Sequence, residues 1–153
     1  MSTYTATVRW HRRDDGEFTK GQYSRAHSWS FDGGVTLPAS ASPHVVPAPW
    51  SDPGGVDPEE AFIASLSSCH MLFFIDYARR DGWTIDSYHD EAEGRLEKRP
   101  DGKIAMTRVT LRPRIIWHGI APDEEAIADL HHRAHEDCFI ANSVNSEVTI
   151  EPA

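Results

Sequence analysis

The sequence predicts an α+β fold in which two helices are set between groups of β-strands. Residues 4–10 and residues 24–31 alternate between apolar and polar side chains, a pattern typical of strands with one buried face. Residues 57–80 and 122–138 begin with strong helix-start signals and continue with helical spacing. Strand patterns come before, between and after these two helices, and this order of elements defines the predicted α+β class.

Length and charge limit the kinds of function that the chain can have. A chain of 153 residues can bury a core of its own, so we expect one domain over residues 1–153, although a dimer would bury more. The 15 Lys and Arg against 24 Asp and Glu give a formal net charge of −9. This charge argues against nucleic acid or an anionic membrane surface as the main partner. A small-molecule substrate or a protein partner remains.

Neither a targeting segment nor a membrane-spanning segment is expected. The first ten residues contain no apolar core behind a positive segment, so a cytoplasmic, reducing location is expected. The most apolar stretch, Ala61–Ala78, is predicted to be a buried helix, because interrupting residues make it too polar to span a bilayer. The interrupting residues are Ser65, Ser67, Ser68, Cys69, His70 and Asp76.

Turn and loop signals separate the first strands from the first helix. Asp14–Gly16 and Asp32–Gly34 supply turns of a strand meander. Five prolines fall between Leu37 and Val56, and they exclude a regular helix or a central strand there. This segment is therefore predicted to be an irregular loop that leads to the functional site.

The first helix begins with the sequence Asp57-Pro58-Glu59-Glu60. An aspartate can cap a helix, proline suits its first position, and two acids meet the positive end of its dipole. We expect this helix to be central, and to run to about Arg80 before Asp81-Gly82 ends it. One face carries small side chains that would let another helix approach closely, although simple core packing explains them as well. These are Ala61, Ala64, Ser65, Ser68 and Cys69.

The second half of the chain returns to strands and then forms one more helix. Strand patterns run from Trp83 to Trp117, with a hairpin turn at residues 100–102 before the stretch Ile104–Ile116. A helix starts at Pro122-Asp123-Glu124-Glu125 and reaches Cys138 near its end. It is predicted to bury Ile127, Leu130 and Ala134. Residues 146–150 form the last predicted strand.

Cys69 and Cys138 are the only cysteines, too few for a disulfide framework and too far apart for a paired CxxC zinc site. In a reducing compartment they are either two small buried residues or a redox pair. Burial alone would raise the pKa of a thiol in the middle of an apolar helix, and a nearby arginine would lower it. Spacing does not determine whether the two cysteines meet, since a disulfide needs their Cα atoms within about 7 Å.

Other side chains admit two interpretations each. His131, His135 and Cys138 share one face of the second helix and could bind zinc, but a surface helix rich in histidine explains them better, and no metal site is predicted. His70 and His132 are predicted to pack or to face solvent rather than act as general bases. Five apolar side chains could line a pocket for an alkyl or aryl group or form plain core. They are Trp29, Phe62, Met71, Phe73 and Phe74.

Three motifs together resemble the osmotically inducible protein C and organic hydroperoxide resistance family (OsmC/Ohr). They are Asp57-Pro58-Glu59-Glu60, Ala64-Ser65-Leu66-Ser67-Ser68-Cys69, and His135-Glu136-Asp137-Cys138-Phe139-Ile140-Ala141-Asn142-Ser143. The order of elements agrees over nearly the whole chain. The resemblance implies an intertwined homodimer, with β-sheets wrapped around central helices, and a peroxidase that reduces organic hydroperoxides without a cofactor.

The resemblance also implies residue roles. Cys69 corresponds to the peroxidatic cysteine, Cys138 to the resolving cysteine, and Glu59 to the acid that positions an arginine. The arginine departs from the family pattern, because none occurs between Ala26 and Glu59. We choose Arg25 over Arg12 and Arg13, because a strand holds a guanidinium more firmly than a loop tip.

The implied reductant is a dithiol, either a lipoyl group or another small thiol.

Glu59 and Cys69 are ten residues apart on one predicted helix, which places them about 15 Å apart along its axis. Two copies of the helix that cross about a two-fold axis would bring Glu59 of one subunit toward the partner's thiol.

The alternative function is a non-catalytic, stress-response dimer that binds a ligand or a partner while its cysteines are merely buried.

Overall fold

The structure is a computed structural model that describes residues 1–13 and 16–153. The chain divides into two compact units, Met1–Ala61 and Phe62–Ala153, which are described one after the other. The strands are β1 (Ala6–Arg9), β2 (His27–Phe31), β3 (Thr36–Ala39), β4 (Ile85–Asp90), β5 (Glu93–Lys98), β6 (Ile104–Leu111), β7 (Pro113–Trp117) and β8 (Glu147–Ile150). The helices are α1 (Pro58–Arg80) and α2 (Glu124–Asp137). This mixture of helices and strands confirms the predicted α+β class.

The first unit contains an antiparallel sheet in the order β1-β2-β3. Its first two strands confirm the predicted strand segments, although both are shorter than predicted. The predicted turn at residues 32–34 is confirmed, because the Gly34 amide donates to the Phe31 carbonyl at 3.0 Å. Gly34 has a φ of 85°, which glycine adopts more readily than other residues. The other predicted turn falls on Asp14 and Asp15, which lie outside the described residues.

Strand β3 corrects the prediction that an irregular loop begins at Leu37. It contains Pro38, which stands opposite Ser28 of β2. Proline has no N–H to give to a ladder, but β3 lies at the edge of the sheet, where proline is tolerated. On this edge Pro38 acts only as an acceptor, because its carbonyl receives a hydrogen bond from the Val56 amide at 3.0 Å. The missing N–H of the proline therefore breaks no hydrogen bond of the sheet. Strand β3 ends at Ala39, residues 40–55 are irregular, and Val56 returns to form a parallel bridge with Ala39.

Helix α1 begins and ends where the sequence predicts. Asp57 Oδ1 accepts from the Glu60 amide at 2.7 Å, and Glu60 Oε2 accepts from the Asp57 amide at 3.2 Å. This reciprocal pair is a capping box, which satisfies two amides that the helix itself leaves unpaired. Gly82, with a φ of 87°, lets the chain leave the helix after Arg80.

Helix α1 was predicted to be central and surrounded, but one side of it is exposed. Within the single chain, an exposed stripe of Ala64, Ser68, Leu72 and Ile75 runs along it. By length and composition α1 could cross a membrane, contrary to the expectation that it is too polar, since an 18-residue window has a mean hydropathy of 1.4 and is 22% buried. Core helices of water-soluble proteins meet the same criterion, so this property is weak support for a membrane span.

The second unit contains two sheets among its described strands. One pairs β4 with β7, and the other has the order β5-β6-β8, with β8 parallel to β6. The predicted hairpin turn between β5 and β6 is confirmed, with Gly102 at a φ of 84°. The sequence predicts strand structure over the stretch Ile104–Ile116, and the structure divides this stretch at Arg112 into β6 and β7. The Arg112 amide donates to Asp90 Oδ1 at 2.6 Å instead of to a strand, and the chain passes from one sheet to the other there.

Two groups of buried apolar side chains form the core of this unit. The helix–helix cluster joins α1 to α2 and consists of Phe74, Ala78, Leu130 and Ala134, all with 0% exposure. The helix–sheet cluster joins the first half of α1 to β6 and consists of Leu66, Val109 and Leu111. Helix α2 starts as predicted, with Asp123 Oδ1 accepting from the Ala126 amide at 2.9 Å.

Candidate active site

The two cysteines come together at the junction of α1 and α2. Cys69 lies in the middle of α1, and Cys138 is the C-cap residue of α2, as the sequence predicted. Their thiols are close enough that Cys69 raises the pKa of Cys138 through a side-chain hydrogen bond, and both are free thiols. Cys138 is 1% exposed, whereas Cys69 is partly exposed. The arrangement therefore offers one accessible sulfur backed by one buried sulfur.

The surroundings of Cys138 keep it protonated. Burial, and then the hydrogen bond with Cys69, raise the pKa of the Cys138 thiol to about 11. The Ala141 amide, which donates to Cys138 Sγ at 3.4 Å, lowers that pKa by a smaller amount. At neutral pH Cys138 is therefore a thiol rather than a thiolate, which makes it a poor first nucleophile.

An apolar cavity of about 280 Å³ opens beside Cys69. The rings of Phe73 and Phe139 meet edge to face at its wall, with centroids 5.0 Å apart. The lining residues are Cys69, Leu72, Phe73, Asp76 and Phe139. Phe73 is the one proposed lining residue that borders this cavity. Phe74 lies in the helix–helix cluster and is a core residue. Phe62 packs against the helix–sheet cluster and also borders a separate cavity of about 330 Å³.

Arg25 lies in the first unit, just before β2. Its Nη1 donates to the carbonyls of Gly21 at 2.7 Å and Tyr23 at 2.6 Å. Its guanidinium also lies 3.6 Å from the centroid of the Tyr23 ring. It borders a cavity of about 450 Å³ whose wall includes the mutually packed rings of Trp10, Phe18 and Tyr23. Arg25 is therefore held in one conformation at the edge of an aromatic pocket.

Glu59 lies in the first turn of α1 and is partly exposed. The capping box uses Asp57 and Glu60, so the Glu59 carboxylate is not needed to cap the helix. Among the described residues, no ion pair joins Glu59 to Arg25. The other candidate arginines, Arg12 and Arg13, are exposed in the segment after β1.

A buried pair of histidines was not predicted as a unit. His70 of α1 and His131 of α2 are 1% and 5% exposed, and His70 Nε2 lies 3.0 Å from His131 Nδ1. Burial, together with the neighbouring histidines, lowers the pKa of His70 to about 3, and burial lowers that of His131 to about 4. The packing expected of His70 is confirmed, and His132 is exposed. The two partners are 61 positions apart, so no local pattern reveals the pair.

The zinc alternative finds no support in the structure. Within residues 1–13 and 16–153, no three side chains of His, Cys, Asp or Glu are grouped so that they could hold a metal ion. His131 is turned toward His70, and Cys138 is in contact with Cys69. Two of the three residues on this helix face, His131 and Cys138, therefore make contacts within the protein.

Comparisons with known proteins agree with the α+β fold. The family model described as OsmC-like protein matches residues 51–153. An OsmC-like protein of unknown function from Vibrio cholerae is 51% identical, with all of both chains covered and a TM-score of 0.97.

Two organic hydroperoxide resistance proteins share the fold at lower identity. OhrB of Bacillus subtilis is 24% identical over 99% of this chain and 98% of its own, with a TM-score of 0.71. The protein from Elizabethkingia anophelis is 18% identical over 100% of this chain and 96% of its own, with a TM-score of 0.73. A search of the curated proteins found no match. By the match over residues 51–153 and the close likeness of the Vibrio cholerae structure, the chain belongs to the OsmC-like protein family.

Proposed function

We propose that this protein is a thiol peroxidase that reduces organic hydroperoxides to alcohols. The observation that carries the proposal is the contact between a partly exposed Cys69, at the wall of an apolar cavity, and a buried Cys138. An accessible sulfur can meet a peroxide, and a sulfur in contact with it can close a disulfide. The likeness to two organic hydroperoxide resistance proteins supports the same substrate class.

The chemistry follows from the two sulfur settings. The Cys69 thiolate attacks the distal oxygen of the hydroperoxide, the O–O bond breaks, and the alcohol leaves as its oxygen takes up a proton. Cys69 becomes a sulfenic acid. The Cys138 sulfur then attacks the Cys69 sulfur, and its thiol proton and the sulfenic hydroxyl leave together as water. An external dithiol, of the lipoyl type or another small thiol, exchanges with the disulfide and restores both thiols.

The cavity beside Cys69 supports an organic rather than an inorganic peroxide. Leu72, Phe73 and Phe139 present apolar surface next to the reacting sulfur. Burial of an alkyl or aryl group against them contributes binding free energy that hydrogen peroxide cannot obtain. We therefore expect kcat/KM to be higher for cumene hydroperoxide than for hydrogen peroxide.

Arg25 and Glu59 complete the proposed machinery. Arg25 is the cation that stabilises the Cys69 thiolate, and Glu59 orients that arginine. We propose that the protein is a homodimer and that Glu59 and Arg25 act on the partner's thiol. The exposed stripe of α1, which is apolar at Ala64, Leu72 and Ile75, supports a second copy as its cover, because monomeric proteins seldom leave such a stripe open.

The first test is a thiol titration. Reduced protein receives one equivalent of cumene hydroperoxide, and free thiols are counted before and after, with the C138S and C69S variants as controls. We expect the loss of two thiols and their recovery with dihydrolipoamide. If the thiol count does not change while peroxide remains, the peroxidase proposal is wrong.

A second candidate function is non-catalytic ligand binding. It is favoured by the aromatic pocket of the first unit and by the engagement of Arg25 Nη1 with two backbone carbonyls. In that case cumyl alcohol would quench the fluorescence of Trp10, while the thiol titration would stay flat. Trp10→Phe would remove the quenching and so identify the pocket.

The shared site has its own test. Inactive Glu59→Ala chains and inactive Cys69→Ser chains are mixed, subunit exchange is verified by mass spectrometry, and peroxidase activity is measured. A heterodimer would have one intact site if Glu59 serves the partner's thiol, so activity would return. If exchange occurs and activity does not return, both residues act within one chain.

A further inference from the structure

We propose that the buried hydrogen bond between His70 and His131 is a positioning element that holds Cys138 against Cys69 and thereby favours their disulfide. The inference rests on the proposed function in one respect, since it takes the two cysteines as redox partners. It concerns two residues that touch neither a peroxide nor a reductant in that mechanism. They are positioning residues, which act through the cysteines beside them.

The bond is well defined by its geometry. The two ring nitrogens are 3.0 Å apart, and the rings lie nearly parallel, at 10° with centroids 5.3 Å apart. Phe74 closes one side of the pair, with its ring centroid 4.3 Å from that of His131. Both histidines are almost completely buried. A single relative placement of α1 and α2 satisfies this bond.

Each imidazole is neutral, because burial holds the pKa of both far below the neutral range. Two neutral rings that share one N–H···N bond have one N–H and one bare nitrogen left at their outer ends. These ends are His70 Nδ1 and His131 Nε2, and both are buried without a partner among the described residues. The titratable groups outside the pair that act on it electrostatically are His135 of α2 and Asp90 of β4.

An apolar pair would fill the same space without this penalty. Buried polar atoms without partners are unfavourable, and a leucine would add to the adjacent Leu130 and Phe74 packing. Apolar packing, however, has little directional preference, whereas a buried hydrogen bond fixes both the separation and the rotation of the two elements. The pair is therefore better suited to fix position than to add stability.

The location of the pair links it to the cysteines. On α1, His70 follows Cys69 directly. On α2, His131 lies seven residues before Cys138, which places the two on the same helix face about two turns apart. Each histidine therefore moves with one of the two cysteines: His70 with Cys69 on α1, and His131 with Cys138 at the end of α2. Loss of the bond lets α2 shift against α1, and that shift separates Cys138 from Cys69.

The test is a thiol–disulfide equilibrium rather than a peroxidase assay. Reduced protein is equilibrated with mixtures of reduced and oxidised glutathione, and the Cys69–Cys138 disulfide is measured by mass spectrometry after thiol trapping. One protein S–S bond forms and the S–S bond of oxidised glutathione breaks. The two electrons and two thiol protons pass to two molecules of reduced glutathione.

We expect His70→Leu and His131→Leu each to lower the equilibrium constant for the disulfide by about three- to tenfold, the effect of one hydrogen bond. A tenfold change equals a shift of about 30 mV in the reduction potential. His131→Asn and His70→Gln place an amide where the bonding nitrogens stand, and they should stay within about twofold of wild type. His132→Leu, at the exposed neighbouring position, is the matched control and should not differ from wild type.

Two further readouts separate positioning from a general loss of structure. The double variant His70→Leu/His131→Leu should keep or gain thermal stability while its disulfide constant falls, because it removes every nitrogen of the pair. Each single leucine variant leaves the bonding nitrogen of the other histidine unpaired and should lose stability. The ¹⁵N spectrum of the wild type at pH 7 should show two neutral imidazoles, with one of the two facing nitrogens protonated.

Three results would overturn the inference. One is an equilibrium constant for the disulfide that does not change in either leucine variant. Another is a constant that falls as far in the His131→Asn and His70→Gln variants as in the leucine variants. The third is a spectrum in which neither facing nitrogen carries a proton. If wild type itself forms no intramolecular disulfide in any glutathione mixture, the redox pair of the proposed function fails as well. An unchanged constant beside a normal wild-type disulfide overturns the positioning role alone.

Discussion

Within the second unit, the two halves of α1 make different kinds of contact. The first half presents Leu66 to Val109 and Leu111, and this helix–sheet cluster is apolar throughout. Gly94 of β5 allows close packing there, since a Cβ at that position would lie 2.6 Å from side-chain atoms of Ile63 and Met106. The second half presents His70 and Cys69 to α2, next to the helix–helix cluster. The histidine and the cysteine of α1 thus lie at the interface with α2, whereas the buried helix–sheet cluster contains only apolar side chains.

This difference separates stability from chemistry. Apolar burial stabilises in proportion to area and tolerates small shifts, so the helix–sheet cluster anchors the helix. A disulfide between two helices tolerates little movement, because its Cα atoms must lie within about 7 Å. Directional contacts belong where the sulfurs meet. The predictions below test whether the two interfaces can be changed independently.

The largest expected effect is on the cysteine side. Cys69→Ser should abolish peroxide consumption, because the accessible sulfur is the proposed nucleophile. Cys138→Ser should allow one fast turnover and then accumulate a sulfenic acid on Cys69, because the sulfur that closes the disulfide is gone. Stopped-flow peroxide consumption and dimedone labelling measure the two outcomes. Equal, partial activity in both variants would contradict the assigned roles.

The helix–sheet side should respond with stability instead. Leu111→Ala removes a side chain that is 1% exposed, and we expect the unfolding free energy to fall by about 2–5 kcal/mol. The glutathione equilibrium of the cysteines should change by less than about twofold. Urea unfolding and the disulfide titration are measured on the same preparation. A large change in the disulfide constant would show that the two interfaces are coupled.

A third prediction concerns pH and the histidine side. The folded pKa values of His70 and His131, about 3 and about 4, lie below the ordinary value of 6.5, so the unfolded chain binds protons first as the pH falls. The stability contributed by the two neutral histidines is therefore fully present above pH 6.5 and is lost as the pH falls from 6.5 to about 4 for His131 and to about 3 for His70. By pH 5 the loss should be on the order of 2 kcal/mol for each histidine, and so on the order of 4 kcal/mol for the two, at about 1.4 kcal/mol per histidine for each pH unit.

The double variant His70→Leu/His131→Leu tests this origin. Its unfolding free energy should be nearly flat from pH 7 to pH 5, whereas His132→Leu should keep the wild-type slope. Carboxylates with lowered pKa values, such as Asp76, titrate below this window and do not interfere. A slope that survives in the double variant would assign it to other groups.

The smallest expected effect is at the start of α2, the helix that carries Cys138. Asp123→Ala removes the side chain that accepts from the Ala126 amide, and the unfolding free energy should fall by about 1 kcal/mol. Asp123→Asn keeps an acceptor and should change little. Amide exchange should accelerate in the first turn of α2 and not in β6. Equal acceleration in β6 would show that the two interfaces unfold as one.

Several features of the fold could be predicted because their causes are local. The capping acids Asp57 and Asp123 mark the helix starts, and Gly34 and Gly102 mark turns that need a positive φ. Strand β3 was missed because prolines argue against strands in general, and the sequence does not say that Pro38 lies at an edge. The break at Arg112 depends on Asp90, 22 positions away.

The candidate site was predictable only in part. The residues alone left Cys69 and Cys138 open as buried residues or as a pair, and the family resemblance favoured the pair. The accessible and buried settings of the two sulfurs, and the cavity beside Cys69, depend on how α2 lies against α1. The roles of Arg25 and Glu59 stay predictions, to be tested by Arg25→Met and by the complementation of Glu59→Ala.

The sequence by itself determined where the helices begin and end, most of the strands, the α+β class and the residues able to carry sulfur chemistry. These follow from capping, turn chemistry and periodicity, which act over a few residues. Only the tertiary structure decided that His70 meets His131 and that Cys138 is buried against Cys69. Such contacts join positions more than 60 residues apart, and they are set by the packing of whole helices rather than by any local preference.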